Sequence, residues 1–242
     1  YWKDYPKLAY PAWINKFSAK KLPEGTIILD SRKKGLGISK TVQEIVFGGK
    51  GVLININMEF NYNYDDFPSE VAMWFYINTT QPMLVKVTWI KPDGTSHLIY
   101  KEVLSTYQYY RLTGDLKLIS DFTAYITKLL GRKPEYQMTT EIALFAKEDE
   151  SILSKETIKL VKGRYKIKIE ARGDDPNANL DVKVDIYGKV YGLLGTDDKR
   201  RDLLIGIMWG APLALSFGVL ASVMTVFLQM IIAAVGAWYG KW

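Results

Sequence analysis

The chain of 242 residues contains no cysteine, which excludes disulfides, thiolate metal sites and cysteine nucleophiles together. It has one histidine, His97. A Ser-His-Asp triad would have to be built on that residue, and a cluster of histidine ligands has nothing to draw on; His97 reads as an ordinary strand residue. No G-x-x-x-x-G-K-[ST] phosphate loop occurs, so ATP hydrolysis is not expected of this chain. The pairs Asp174-Asp175 and Asp197-Asp198 lack EF-hand spacing and read as solvated turns. The net charge is +6, but lysines alternate with acids and do not gather in a patch, which argues against a nucleic-acid partner. Nothing points to a cofactor, a metal or an enzyme's catalytic residues.

Charge is also missing locally, from Leu203 to Gly240. The most apolar stretch, Leu213 to Val235, would span roughly 35 Å as a helix at ~1.5 Å per residue, against a hydrocarbon core of about 30 Å. Trp238, Tyr239 and Trp242 stand where an interfacial aromatic belt belongs. The expectation is a transmembrane helix over 213–238. Small residues recur every fourth position before and within it, at Gly206, Gly210, Ala214, Gly218 and Ser222, a ridge that would let a second helix pack closely. Pro212 lacks an amide hydrogen, so two helices are expected, a short interfacial one before it and the spanning one after. Gln229 would face protein or a water-filled path.

The long first part reads as strands. Ile54, Ile56, Met58, Phe60, Tyr62 and Tyr64 alternate with polar residues, the period-two pattern of a half-buried strand. Val85, Val87 and Trp89 do the same, the turn Lys91-Pro92-Asp93-Gly94 follows, and Leu98 and Tyr100 lie on the return strand of a hairpin. Tyr165, Ile167, Ile169 and Ala171, then Leu180, Val182, Val184 and Ile186, flank a turn at Gly173–Asn177. One helix is expected, capped by Ser120, striped by Phe122, Tyr125, Ile126, Leu129 and Leu130, and ended by Gly131. The fold class is therefore mainly β: an antiparallel β-sandwich-like domain with helical insertion, followed by a transmembrane α-helix. Trp2, Tyr5, Tyr10 and Trp13 either pack on the sandwich or a preceding helix, the favoured reading, or form a docking surface for a binding protein, a sugar or the lipid interface. Asn78-Thr79-Thr80 is an N-glycosylation sequon, compatible with a location outside the cell.

Gly195-Thr196-Asp197, Arg201-Asp202 and Gly210-Ala211 occur in the order and spacing of a known pattern. This resembles the G-T-D-x-x-G-R-D segment and following Y-G-A-R block of permease subunits in the oligopeptide/dipeptide/nickel class of ABC importers. Gly236 to Trp242 looks like the end of the same family helix. Arg200 stands where the family has glycine, and Pro212 where it has arginine. The start, Tyr1 to Trp13, looks like archaeal permeases with a large extracellular insertion. The resemblance implies an extracellular domain over 1–194, a motif-bearing interfacial segment over 195–212, and a membrane helix belonging to a multi-pass permease core with further spans before and after. It implies a second permease subunit, ATPase subunits, an extracellular solute-binding protein and the lipid bilayer as partners, and peptides or oligosaccharides as cargo. Lys189, Lys199, Arg200 and Arg201 precede the helix and only Lys241 follows, the reverse of a positive-inside arrangement, but long domains translocate largely regardless of charge. The rival reading is an extracellular sandwich anchored by a single span, with an adhesive or envelope-structural role.

Overall fold

A computed structural model describes residues 2–240 apart from 34, 36 and 47–49; Trp242, expected in the aromatic belt, lies outside the described residues. The strands are β1 (Thr26–Asp30), β2 (Ile38–Val46), β3 (Lys50–Tyr62), β4 (Glu70–Asn78), β5 (Met83–Ile90), β6 (Ser96–Leu104), β7 (Gln108–Arg111), β8 (Gly163–Gly173) and β9 (Asn179–Tyr187). They form two sheets, ordered β1-β9-β4-β7 and β2-β3-β8-β5-β6, and every pairing between neighbours is antiparallel. The expected sandwich is what the chain builds.

Alternation explains the packing. On β3, Val52, Ile54, Ile56, Met58, Phe60 and Tyr62 are all buried, and their β8 partners across the register include Ile169, Ile167 and Tyr165. From the facing sheet Val71, Met73 and Phe75 of β4 and Leu180, Val182, Val184 and Ile186 of β9 close the same core. Fully burying each such side chain stabilises by roughly 1.5–3 kcal/mol. The turn after Gly173 carries the chain from one sheet to the other, because β8 and β9 belong to different layers.

Two sequence expectations shift. Leu98 is exposed while Ile99 and Tyr100 are buried, because a bulge between Val87 and Thr88 moves the hairpin register by one residue. The expected helix starts a turn early: α1 (Leu116–Leu130) is capped by Asp115, whose side chain accepts from the Lys117 and Leu118 amides, not by Ser120. Gly131 ends it in the left-handed conformation, as expected. Next, α2 (Thr140–Phe145) closes one end of the sandwich. Phe145 lies against Tyr62, Trp89 and Tyr165, and the Trp89 indole donates to Leu144 O at 3.0 Å.

The two ends of the sandwich are distinct. Thr26, Glu70 and Tyr187 lie together in register at one end, with Arg111 beside Ala72. The chain leaves that base toward the last helix, α3 (Leu203–Tyr239). Asn78, Asn179, Met83, Leu104 and Gly173 occupy the other, distal end.

Candidate functional site

α3 is the longest element and none of its residues is buried. It is the one helix among the described residues long and apolar enough to cross a membrane. A soluble protein would hide so apolar a helix in its core; this one leaves its whole circumference to the surroundings. The expected break at Pro212 does not occur. The helix runs unbroken from Leu203 through Pro212 to Tyr239, so residues 203–212 of the expected interfacial piece over 195–212 are continuous with the span over 213–238. The hydroxyls of Ser216, Ser222 and Thr225 each donate to the carbonyl four residues earlier, at 2.7, 2.9 and 2.8 Å, so the helix satisfies them itself. Gly206, Gly210, Ala214, Gly218 and Ser222 are all exposed on it.

The segment before α3 is a clasp that ties three parts of the chain together. Gly195 has φ 78°, and a Cβ there would lie 2.1 Å from the Ala9 carbonyl oxygen. Only glycine fits, since it alone adopts that backbone freely and lets the two strands of chain touch. Next door the buried Thr196 hydroxyl donates to Pro6 O at 2.7 Å and accepts from the Ala9 amide at 3.0 Å. The Thr196 amide donates to Ala9 O and the Leu8 amide to Asp197 O, both at 3.1 Å. Asp197 closes the turn by accepting from the amides of Lys199 and Arg201, and the Arg201 guanidinium meets its other oxygen at 2.6 Å. Desolvation works against these donors but does not prevail, and the Asp197 carboxyl is held below its usual range. The Leu203 amide reaches back to Gly195 O at 3.2 Å, and Asp202 caps α3 by accepting from the Leu204 amide at 2.9 Å.

Arg200 is the keystone that the motif pattern alone did not supply. Its φ is 65°, a left-handed conformation that favours glycine. Its guanidinium offsets the strain by donating to Tyr5 O and to Glu70 Oε2, both at 2.7 Å, and by lying 4.1 Å over the Tyr187 ring. The buried Glu70 also accepts from Arg111 at 3.0 Å. The structure thus brings Gly195, Thr196, Asp197, Arg201 and Asp202 into one clasp and adds Glu70, Arg111 and Arg200. Gly210 and Ala211 fall farther along α3 and take no part.

The outer face of the four-stranded sheet carries a second feature. Trp74, Tyr107, Tyr109, Tyr187, Arg200 and Lys3 line an open cleft of about 300 Å³. Trp74 and Tyr109 have ring centroids 5.1 Å apart, and Lys183 lies 4.9 Å over Trp74. Of the early aromatics, Trp2 and Tyr5 pack edge to face, and Tyr5 meets Tyr191, whereas Tyr10 and Trp13 are exposed. The packing reading holds for Trp2 and Tyr5.

A third cluster escaped the sequence. Lys91, read there as a turn residue, is 2% exposed. It donates to Ala146 O at 2.8 Å and to Glu148 Oε1 at 2.7 Å, where His97 Nε2 also approaches to 2.5 Å. Burial lowers the Lys91 pKa. Desolvation opposes ionisation of Glu148 too, but the hydrogen bonds from His97 and Lys91 prevail and bring it down to about 2. The network joins the hairpin to the segment after α2, a structural role. Among the described residues no group of three or more His, Asp or Glu is placed to hold a metal.

No family model matches the chain, and no curated protein does. Solved structures that share the sandwich include TmCBM61 in complex with beta-1,4-galactotriose, at 8% identity and TM-score 0.27, covering 68% of this chain and 79% of that one. A chain of the infectious bursal disease virus Gt strain matches at 11% and 0.31, covering 67% and 33%. A carbohydrate binding module of family 29 matches at 8% and 0.26, covering 69% and 90%. The chain is a β-sandwich carried on one long apolar helix. The expected role as a multi-pass permease subunit forming a translocation pathway for peptides or oligosaccharides is corrected on this ground. One candidate span exists among the described residues, and the rest folds as a sandwich around its own hydrophobic core.

Proposed function

We propose that the protein is a single-span-anchored extracytoplasmic β-sandwich with an adhesive role at the cell envelope. It acts by presenting a surface, not by catalysis. The observation that carries this is the clasp: Gly195 through Asp202 bind the amino-terminal segment, β4 and the start of α3 into one unit, so the sandwich is held on its anchor without a slack linker. The aromatic cleft on the four-stranded sheet, with Tyr107 and Tyr109 exposed, supplies amphipathic rings of the kind that dominate recognition surfaces. An outside location agrees with the sequon residue Asn78, exposed at the distal end, and with the absence of cysteine.

The test is fractionation of cells making the full chain, followed by alkaline carbonate extraction and protease added to intact cells. The expected result is retention in the membrane pellet and removal of the sandwich by external protease. Release as a monomer into plain buffer would overturn the anchor, and protection until lysis would overturn the outside location.

A further inference from the structure

We propose that the base of the sandwich around the root of α3 is itself a lipid-binding surface, seated in the interfacial layer of the same bilayer. The proposal rests on the anchored reading above and adds a second, peripheral contact to it. Leu8, Tyr10, Trp13, Phe17, Leu193 and Leu194 are all exposed, and the chain gathers them at one place. The Trp13 indole donates to Leu193 O at 3.1 Å, and its ring meets Phe17 edge to face at 6.2 Å. The Ala12 amide donates to Gly192 O, Tyr10 exchanges backbone hydrogen bonds with Lys189 and Tyr191, and the Leu8 amide donates to Asp197 O. Gly195, one residue beyond Leu194, hydrogen-bonds the first residue of α3. The patch is therefore continuous with the membrane helix.

Three observations select lipid over water or a protein partner. Phe17 is 83% exposed, Leu8 64% and Leu193 61%, so these side chains contribute little to the fold's own core. Leu8 also holds φ 50°, a strained conformation for a non-glycine residue, while its side chain stays outside. The composition matches an interfacial segment: Tyr and Trp belong at the headgroup level, and residues 5–23 hold Lys7, Lys16, Lys20 and Lys21 with no acid among them. Apolar and aromatic side chains on a basic backdrop settle about 5–10 Å into the headgroup boundary, drawn by buried area and by anionic lipid together. The surface lies beside the point where the chain enters the membrane, so it meets lipid at no further translational cost.

The lack of cysteine makes the test clean, because each introduced thiol is unique. Phe17→Cys, Leu193→Cys, Val103→Cys and Val223→Cys variants of the full chain are spin-labelled in nanodiscs containing anionic lipid. Collision with oxygen is then compared with collision with a water-soluble nickel chelate. Val103, exposed at the distal end, reports water, and Val223, within α3, reports lipid. The expected result is an oxygen-to-nickel ratio at Phe17 and Leu193 at least several-fold above that at Val103. Ratios equal to that of Val103, with Val223 in lipid, would sink the seat and leave the anchor standing. Low collision with both reagents would overturn it in favour of a protein partner. A water-like Val223 would remove the anchor, and the seat with it.

Discussion

Asp185 shows what a single carboxylate does on a covered sheet face. It is 0% exposed, lies 2.9 Å from Lys183 Nζ, and its Oδ1 finds no hydrogen-bond partner among the described residues. Burial raises its pKa to about 6, although Lys183 pulls the other way; one lysine does not replace the water the carboxylate has lost. In the unfolded chain the group titrates near 3.8, so the folded state binds the proton more tightly. Its favourable contribution is complete below that value and is lost as pH rises through about 6. Stability of the sandwich should therefore rise between pH 7 and 5, by about 1.4 kcal/mol from this group at ~1.36 kcal/mol per pKa unit. Glu148 works in the opposite sense: its carboxyl is lowered to about 2, so its contribution begins to fade only below its ordinary value near 4.5. Urea unfolding of the full chain in micelles, followed by tryptophan fluorescence at pH 7, 6 and 5, checks this. Asp185→Asn should flatten the rise, and an unchanged slope in that variant would assign the effect to another group.

At the scale of elements the clasp is the most exacting piece. Gly195→Ala must accept a left-handed backbone, at about 1–3 kcal/mol, and also push the Ala9 carbonyl aside. Gly131→Ala offers the matched control, with φ 69° and nothing within 4 Å of its Cβ. The expected outcome is fast amide exchange at Ala9 and Thr196 in Gly195→Ala, with the core strands unaltered, and no such change in Gly131→Ala. Equal exchange in the two would mean that close approach to Ala9 does not matter. What could be read from the sequence follows from these physics. β3, β5, β8 and β9 alternate because each has one face in the core, and period two reports that directly. β4 does not announce itself that way: Glu70 to Phe75 are buried without a break, since the amino-terminal segment covers the outer face, with the Tyr187 hydroxyl donating to Lys3 O at 2.8 Å. Buried Lys91 and its partner Glu148 lie far apart in sequence, and no local pattern links them. Five clasp residues were visible as a motif, but Glu70 and Arg111 come from strands far upstream and were not.

For the molecule as a whole, the length of α3 is the quantity to explain. Its 37 residues measure roughly 55 Å at ~1.5 Å per residue, while the hydrocarbon layer is about 30 Å deep and the full membrane about 40–45 Å. Tilts reach about 40° in known membrane helices, and at that lean the helix projects to roughly 42 Å along the normal. An upright helix would instead hold Leu203 to Pro212, with the exposed Ile207, Met208 and Trp209, above the lipid, leaving apolar surface in water. The lean is therefore favoured, and the clasp transmits it. Asp202 caps the helix within hydrogen-bond reach and Arg200 fixes the same turn to β4, so tilting the helix tilts the sandwich and brings one side of its base down to the headgroups. Polarised infrared dichroism of the full chain in oriented bilayers should then give a tilt that falls as the acyl chains are lengthened, since a thicker core takes up the same helix more upright. A tilt indifferent to thickness would place the first turns of α3 outside the hydrocarbon and detach the posture of the sandwich from the depth of the membrane.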